Sequence, residues 1–526
     1  MFIKEIKQLK FGIRDRTLFE IPLLQVQAKE RIGLVGKNGT GKTSLLEIIA
    51  GKKRIEQGMV NGEATITLLP QLKQTNTVQS GGEITQSYID TALAEKADLL
   101  LADEPTTNLD TEKIEKLEKA LHRFQGAIIT VSHDRAFLDA ICDTIWEIDD
   151  GRLNVYKGNY SDYVAQKDLK IRQQEAAYEN YMQKKQQLEQ ALAKKERKAN
   201  RATKKPKNIS TSEAKITGAK PYFAKKQKKL QQTAKSIETR IDKLEKVEKV
   251  REYPKIKMDI SSSEALYGRF IIRGEHIGGK VGQRTLWEPA DFYIKGGDKV
   301  ALIGNSGTGK TTLIKYILKE ETGITVSPAV KLGYFSQNLD VLDKQKSILD
   351  NVMSTSIQDE TTVRTVLARL HFFRDDVYKT VNVLSGGERV KVAFAKIFVS
   401  DNNMLILDEP TNFLDIEAVE ALEELLIDYE GTLLFVSHDR VFVNNIANRI
   451  FSIEDEELNI FDGTYEHYKN FSPNPAADTN KQELLVIENK ITEVLGKLSL
   501  ESTEELDQEF QELLQLKNKL LSDKGK

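Results

Sequence analysis

Two stretches of this chain have the residue types and spacing to hold a polyphosphate. They are Gly36-Lys37-Asn38-Gly39-Thr40-Gly41-Lys42-Thr43 and Gly304-Asn305-Ser306-Gly307-Thr308-Gly309-Lys310-Thr311. Glycines, lacking Cβ, let backbone N–H groups turn inward around phosphate oxygens. Lys42 and Lys310 suit neutralisation of β- and γ-phosphates, and Thr43 and Thr311 offer a hydroxyl to Mg²⁺. Each stretch follows an apolar run (32–35, 300–303) that predicts a buried strand. Each precedes apolar residues at helical spacing, Leu45, Leu46, Ile48 and Ile49 or Leu313, Ile314 and Ile317. A helix starting there points its N-terminus at the same anion. A glycine-rich turn with a fortuitous Lys-Thr is the plainer alternative, and the second copy argues against it.

The remaining motifs fall in one order, twice. Residues 66–69 read as a strand followed by Gln71, placed to face the nucleotide, and then Ser80-Gly81-Gly82-Glu83. Residues 99–102 read as a buried strand ending in Asp103 and Glu104. Asp103 is placed to hold Mg²⁺ directly or through water, and Glu104 to polarise an attacking water. Alone, an acidic pair at a strand end reads equally well as a cap or turn. Asp110 suits the cap of a helix through Ile114, Leu117 and Leu121. His133, after another strand-like run, is placed to sense a γ-phosphate, although a lone histidine here more often marks a turn. In the second half Gln337, Ser385-Gly386-Gly387-Glu388, Asp408-Glu409, Phe413-Leu414-Asp415 and His438 repeat the series. One repeated order is the mark of a duplicated unit.

The totals bound the rest. With 526 residues the chain predicts three or four units, and its apolar fraction of 40% is enough for two sizeable cores. The net charge of −2 favours no class of partner by itself. One cysteine, Cys142, leaves no disulfide framework and fits a reducing compartment. The N-terminus carries no signal-peptide pattern and no apolar run reaches membrane-span length, which predicts a cytoplasmic, soluble protein without a membrane partner.

Between the two halves, Tyr178, Tyr181, Leu188 and Leu192, then Leu230, Ala234, Ile237, Ile241 and Leu244, keep a three–four spacing that predicts an antiparallel helical hairpin. Pro206, Gly218 and Pro221 put its tip near 203–222. Lys194, Lys195, Arg197, Lys198, Arg201, Lys204, Lys205, Lys207, Lys215, Lys220, Lys225, Lys226, Lys228 and Lys229 stand there against Glu196 and Glu213. That charge suits an RNA backbone, with Tyr222 and Phe223 available to stack on a base or to pack the hairpin end. In the tail, Leu484, Ile487, Ile491, Val494 and Leu498, then Leu506, Phe510, Leu513 and Leu520, predict a second helical hairpin, with Ser502 and Glu505 as a capping box.

On these motifs the chain resembles ATP-binding-cassette proteins over residues 1–165 and 265–471. Tandem cassettes, a helical linker and a shared Gly-x-Tyr ending (Gly158-Asn159-Tyr160, Gly463-Thr464-Tyr465) make it similar to the ABC-F family of ribosome-associated ATPases, and to its Vga-type antibiotic-resistance branch. The resemblance implies an α/β fold of two cassettes, 1–165 and 259–471, joined by a basic hairpin, 166–258, with a helical extension, 472–526. It implies head-to-tail pairing within a monomer. ATP would lie between one phosphate loop and the other cassette's Ser-Gly-Gly-Glu, with Mg²⁺ held by Thr43, Asp103 and Gln71 at site one and by Thr311, Asp408 and Gln337 at site two. Glu104 and Glu409 would be the catalytic bases, assisted by His133 and His438. The implied partner is the ribosome, at its exit site, with the linker facing the P-site tRNA and 23S rRNA of the peptidyl-transferase centre. The implied drugs are lincosamides, pleuromutilins and streptogramin A; no role on DNA is implied.

Several residues depart from the family pattern. Gln79 stands where Leu384 does in the second half. About eight residues separate Gln71 from Ser80, against nearly fifty between Gln337 and Ser385, so the first cassette is expected to lack its helical subdomain. Phe11 is placed to stack on adenine, but its counterpart, five residues before the shared Arg-Thr-Leu, is Gly279. The rival readings are a translation factor of the same family without a drug role, the ATPase subunit of an exporter, and a DNA-repair ATPase with a coiled coil.

Overall fold

Twelve-residue strands β1 (Phe2–Ile13) and β2 (Arg16–Gln27) pair antiparallel, with Ile6 opposite Leu24 and Leu9 opposite Ile21. Their alternation buries Ile6, Leu9, Phe19, Ile21, Leu24 and Val26 in one core. Next come β3 (Arg31–Gly36), α1 (Lys42–Ile49), β4 (Gln57–Asn61), β5 (Ile66–Leu69), β6 (Leu99–Asp103), α2 (Thr111–Arg123), β7 (Ala127–Val131), α3 (Arg135–Ile141), β8 (Thr144–Asp149) and β9 (Arg152–Lys157). The computed structural model describes residues 2–13, 16–70, 97–107, 109–201, 219–247, 266–336 and 341–470. Gln71, Ser80, Gly81, Gly82, Glu83, Gln337, the hairpin tip with the Tyr222 and Phe223 side chains, and the tail from 472 onward lie outside the described residues.

Among those residues the first cassette forms one sheet in the order β4-β1-β2-β9-β8-β3-β7-β6-β5. The central strands β3, β6, β7 and β8 are parallel and covered on both faces, which is why they read as unbroken apolar runs. The phosphate loop after β3, the acidic end of β6 and the histidine after β7 all leave the carboxyl edge of this parallel set, where open α/β sheets hold ligands.

The first arm helix, α4 (Tyr160–Arg201), is 42 residues long, or about 63 Å at 1.5 Å per residue. It packs against α5 (Ala219–Asp242). Less exposed positions recur at Tyr178, Tyr181, Lys185, Leu188, Leu192, Lys195 and Ala199, and on α5 at Leu230, Ala234, Ile237 and Ile241. The helical hairpin read from the three–four spacing is therefore present. The first turn of α4 belongs to the cassette: Tyr160 and Tyr163 are buried in its core.

The second cassette repeats the first with β10 (Phe270–Val281), β11 (Arg284–Lys295), β12 (Lys299–Gly304), α6 (Lys310–Lys319), β13 (Ile324–Val326) and β14 (Leu332–Phe335). A helical insert follows: α7 (Ile348–Met353), α8 (Glu360–Arg369) and α9 (Gly386–Phe398). Then come β15 (Met404–Asp408), α10 (Ile416–Asp428), β16 (Thr432–Val436), α11 (Arg440–Ile446), β17 (Arg449–Glu454) and β18 (Glu457–Asp462). The order β14-β15-β16-β12-β17-β18 matches β5-β6-β7-β3-β8-β9, and β11-β10-β13 matches β2-β1-β4. Residues 463–526 form a separate compact unit, whose described part is α12 (Tyr465–Asn470). No helix among the described residues is long and apolar enough to cross a membrane.

Strand register explains one sequence difference. Phe11 faces Phe19 across β1 and β2, and Gly279 faces Trp287 across β10 and β11. Phe11 stacks on Phe19 with centroids 5.6 Å apart, and Lys53 Nζ lies 5.0 Å from its ring. Trp287 is fully buried and lies across Gly279, where a Cβ would collide with its ring. It also donates from Nε1 to the Ile277 carbonyl (3.0 Å). Gly279→Ala is therefore expected to destabilise the protein by about 1–3 kcal/mol, the usual cost of overpacking. Chemical denaturation measures this, with Gly282→Ala, in open space, as the strained-turn comparison.

Candidate functional site

Both phosphate loops end in a left-handed glycine, Gly41 (φ 98°) and Gly309 (φ 104°), and neither helix that follows has a side-chain cap. A Cβ at Gly41 would meet Phe19 Cε1 at 2.9 Å, and one at Gly309 would meet Trp287 Cζ3 at 2.6 Å, so the turn needs glycine twice over. By contrast, α2, α3, α10 and α11 start on aspartates that accept from their first-turn N–H groups. The donors of α1 and α6 are thus left for an anion.

Site one opens as a cavity of about 260 Å³ lined by Ile13, Leu18, Asn38, Gly39, Gly41, Lys42, Thr43, Ser44, Asp103, Glu104, Val131 and His133. The apolar wall is Ile13 and Leu18, not Phe11. These two flank the β1–β2 turn, and their signal in the sequence was only an apolar residue on each side of it. Lys42 Nζ donates to the Gly36 and Lys37 carbonyls (2.6 and 3.0 Å), and Lys310 does the same to Gly304 and Asn305 (2.7 and 2.9 Å). Burial lowers the pKa of both ammonium groups.

The acidic strand ends lie against the threonines. Thr311 Oγ1 donates to Asp408 Oδ2 (3.1 Å), and Thr43 bonds Asp103. These hard oxygen donors fit Mg²⁺, which takes one or two carboxylates plus substrate phosphates. Burial raises the pKa of both aspartates. Glu104 and Glu409 share φ 52°, a left-handed conformation that costs a non-glycine residue energy and recurs at functional sites. Burial pushes the Glu104 carboxyl up to about 8 and Glu409 up to about 7. Burial, helped by Lys42 and Lys310, pushes His133 down to about 3 and His438 down to about 4. His133 Nε2 stands 3.2 Å from Glu104 Oε1, and His438 Nε2 stands 3.3 Å from Glu409 Oε1. Glu104 Oε1 is buried without an aligned hydrogen bond, an acceptor still to be used.

Each loop is closed by the other cassette. Asp415, which caps α10 through Ala418 N, accepts from Asn38 N (2.8 Å), and the Phe413 carbonyl accepts from Asn38 Nδ2 (3.3 Å). Asp110, the cap of α2, accepts from Ser306 N (3.4 Å), and Glu112 accepts from Asn305 Nδ2 (3.1 Å). Gly387 sits beside Phe413, and a Cβ there would lie 3.4 Å from Asn38 Nδ2, so the second cassette's Ser-Gly-Gly-Glu adjoins the first phosphate loop. Ser385 and Glu388 form a capping box at the start of α9, with Ser385 N donating to Glu388 Oε2 (2.8 Å). That box fixes Ser385, Gly386, Gly387 and Glu388 at the start of α9, with Gly387 beside Asn38 of the first loop.

Two ion pairs between the cassettes, one buried and one part-buried, flank the loops. Arg135 holds Glu423 of the other cassette bidentately, one contact being 3.1 Å, and lies 3.4 Å from Asp439. Arg440 bonds Glu118 (2.5 Å) across the pseudo-symmetric interface. The sequence reading passed over both arginines; their signal was a place in a tetrapeptide present in both halves, Ser132 to Arg135 and Ser437 to Arg440.

A family profile described as ABC transporter matches residues 22–75 and 287–412, and a second, carrying the same description for the extension segment, matches 146–259. The ribosome protection protein VmlR of Bacillus subtilis is 32% identical, over 97% of each chain. The chain belongs to the ABC-F family. The erythromycin resistance ATP-binding protein MsrA of Staphylococcus epidermidis is 34% identical over 86% of this chain and 98% of its own. The fold is also that of the RNase-L inhibitor (TM-score 0.59, 17% identity, 88% of this chain and 92% of that one). As a member of ABC-F, the chain is an ATPase that binds ATP on its two cassettes.

Two outcomes follow. A carboxyl whose pKa is raised on folding stabilises less as pH rises from its unfolded to its folded value. Nucleotide-free Glu104→Gln should therefore gain melting temperature relative to the native chain as pH goes from 4.5 to about 8, and match it below 4.5. Scanning calorimetry across that range checks the sign. Removing one partner of a buried pair costs about 3–5 kcal/mol, so Arg135→Ala should lose about that much in denaturant titration. The double variant with Glu423→Ala should recover part of the loss.

Proposed function

We propose that this ABC-F ATPase protects the ribosome from antibiotics bound at the peptidyl-transferase centre, using its helical arm to displace them. The observation that carries the reading is the pairing of two mutually closed nucleotide sites with one long arm between them, in a chain aligned end to end with a ribosome protection protein. The arm bears the basic residues Lys194, Lys195, Arg197, Lys198 and Arg201 at the far end of α4, roughly 36–46 Å of helix beyond Lys170, which still bonds Tyr156 of the cassette, at 1.5 Å per residue. The reading assigns the arm to P-site tRNA and 23S rRNA, from a footing at the exit site. It takes lincosamides, pleuromutilins and streptogramin A as the drugs, and the cytoplasm as the place. The proposed boundaries remain 1–165, 166–258, 259–471 and 472–526.

In the proposed mechanism, the N–H groups of residues 39–43 and 307–311 take the phosphates, beside the Asn38 and Ser306 N–H groups that bond Asp415 and Asp110. Lys42 and Lys310 exchange their own loop carbonyls for phosphate oxygens. Mg²⁺, when bound, would neutralise phosphate charge, with Thr43 and Asp103 at one site and Thr311 and Asp408 at the other as its protein ligands. Gln71 and Gln337 are the remaining candidate ligands. Ser385, Gly386 and Gly387 complete site one from across the interface, and Ser80, Gly81, Gly82 and Glu83 are assigned the same task at site two.

Glu104 and Glu409 orient the attacking water and accept its proton, and His133 and His438 stand beside them to hold the γ-phosphate side. In the geometry described, burial raises the Glu104 carboxyl to about 8, toward the range in which a general base works near neutral pH. Lys42, turned away onto its own loop, lowers that pKa only in part.

The test is the double variant Glu104→Gln with Glu409→Gln. ATP turnover should fall about 100-fold or more, the scale of a lost general base, and the protein should co-sediment with ribosomes in ATP. In a cell-free translation reaction stalled by a lincosamide, the native chain should restore synthesis. Absence of ribosome co-sedimentation, or ribosome binding without relief of the drug, overturns the protection reading; the latter outcome leaves a translation factor of the same family.

A further inference from the structure

The two nucleotide sites are built from one repeated plan, yet among the described residues only one is wired to the arm. In the second cassette, Glu417 lies in the first turn of α10, two residues after the cap Asp415. Its Oε2 is 3.3 Å from Lys37 Nζ in the first phosphate loop. Its Oε1 is 3.8 Å from Lys167 Nζ, on the arm helix α4. Lys167 is itself fixed: it donates to Glu147 (2.9 Å) within β8 and to Tyr163 Oη (3.1 Å). Glu147, buried, also accepts from Tyr163 (2.6 Å) and Tyr156 (3.1 Å). One turn further along α10, Glu420 accepts from Tyr160 Oη, at the first residue of the arm (3.4 Å). Successive turns of α10 therefore hold the phosphate loop and the root of the arm together.

Among the described residues, site two shows no such link. The counterpart of Glu417 is Glu112, whose Oε2 accepts from Asn305, a neutral residue where the first loop has Lys37. Its other oxygen pairs with Lys116 on its own helix (2.7 Å), not with an arm residue. The chemistry of the difference is simple. Glu417 is one carboxylate of the second cassette that faces a cation on the first phosphate loop and another at the root of the arm, so a shift of either cation changes its hold on the other.

We propose that Glu417 and Lys167 are positioning residues that transmit the state of site one to the arm, while site two closes the cassettes without steering it. When the first loop takes phosphate, Lys37 and Asn38 move with it. Glu417 then divides its charge differently between Lys37 and Lys167, and α10 carries the root of α4 to a new attitude. The inference rests on the reading that the arm is the acting part, but its test needs no ribosome.

The experiment places a donor and an acceptor dye at Gln187→Cys on the arm and Glu430→Cys on the second cassette, both exposed positions. Cys142 is buried and burial pushes its thiol pKa up, so the dyes go to the introduced cysteines. Energy transfer is followed in the free protein as ATP is added, in the Glu104→Gln, Glu409→Gln background. The ATP-driven change in arm position should shrink about fivefold or more in Glu417→Gln and in Lys167→Gln, the low end of coupling between linked sites. Lys167→Arg, which keeps the charge, and Glu112→Gln, at site two, should leave it intact. Melting temperature and ATP affinity, measured alongside, separate lost coupling from lost folding or binding. An undiminished ATP response in Glu417→Gln, or an equal loss in Glu112→Gln, overturns the proposal. Failure of ribosome binding with this coupling intact would overturn only the protection reading.

Discussion

The docking of each phosphate loop on an aspartate of the opposite cassette is the contact on which the rest depends. Asp415 caps its own helix and accepts from Asn38 N. Asp110 does the same for α2 and Ser306 N. A buried backbone N–H left without a partner costs free energy comparable to a lost hydrogen bond. Because the loops must leave their N–H groups open for phosphate, the cassettes gain by covering part of that set with carboxylates. The interface and the nucleotide thus draw on neighbouring donors, and occupation of one affects the other.

Charge burial sets how the two halves hold together. Arg135 with Glu423 and Arg440 with Glu118 are charge-assisted pairs between bodies. Such pairs gain little over an apolar contact of equal shape, because desolvation offsets most of the attraction. What they give is register: a rotation that parts Arg135 from Glu423 breaks a buried pair, and one that parts Arg440 from Glu118 breaks a part-buried one. Asp134 and Asp439, each the residue before one of these arginines, cap α3 and α11, so each histidine loop is tied to the same interface. Burial, with Asp439 adding to it, pushes Asp134 up to about 6.

Duplication gives near symmetry, and the departures from it carry information. The aromatic seat under the phosphate loop is Phe19 in one half and Trp287 in the other. The larger indole takes the space that Phe11 fills opposite Phe19, so the second half needs glycine at 279. Lys37 and Asn305 mark a second departure, and it falls beside the only arm among the described residues, α4 with α5.

The sequence by itself determined the duplication, the two phosphate loops, the strand-end carboxylates, the histidines and the helical hairpin. These depend on local chemistry and short periods: glycine where φ is positive, apolar runs between covered strands, and a three–four repeat along Tyr178, Leu188 and Leu192. Tertiary structure decided what joins residues hundreds of positions apart. Nothing near Asp110 or Asp415 in the chain says that a capping carboxylate has a second oxygen to spare for a loop on the other cassette. No period marks Glu417 as shared between Lys37 and Lys167, because a single glutamate in a first helical turn is accounted for by the helix dipole alone. Nor does the sequence say that the wall of site one is Ile13 and Leu18 while Phe11 rests on Phe19. Strand register across the β1–β2 turn fixes that, and register is set by the packing of the whole sheet.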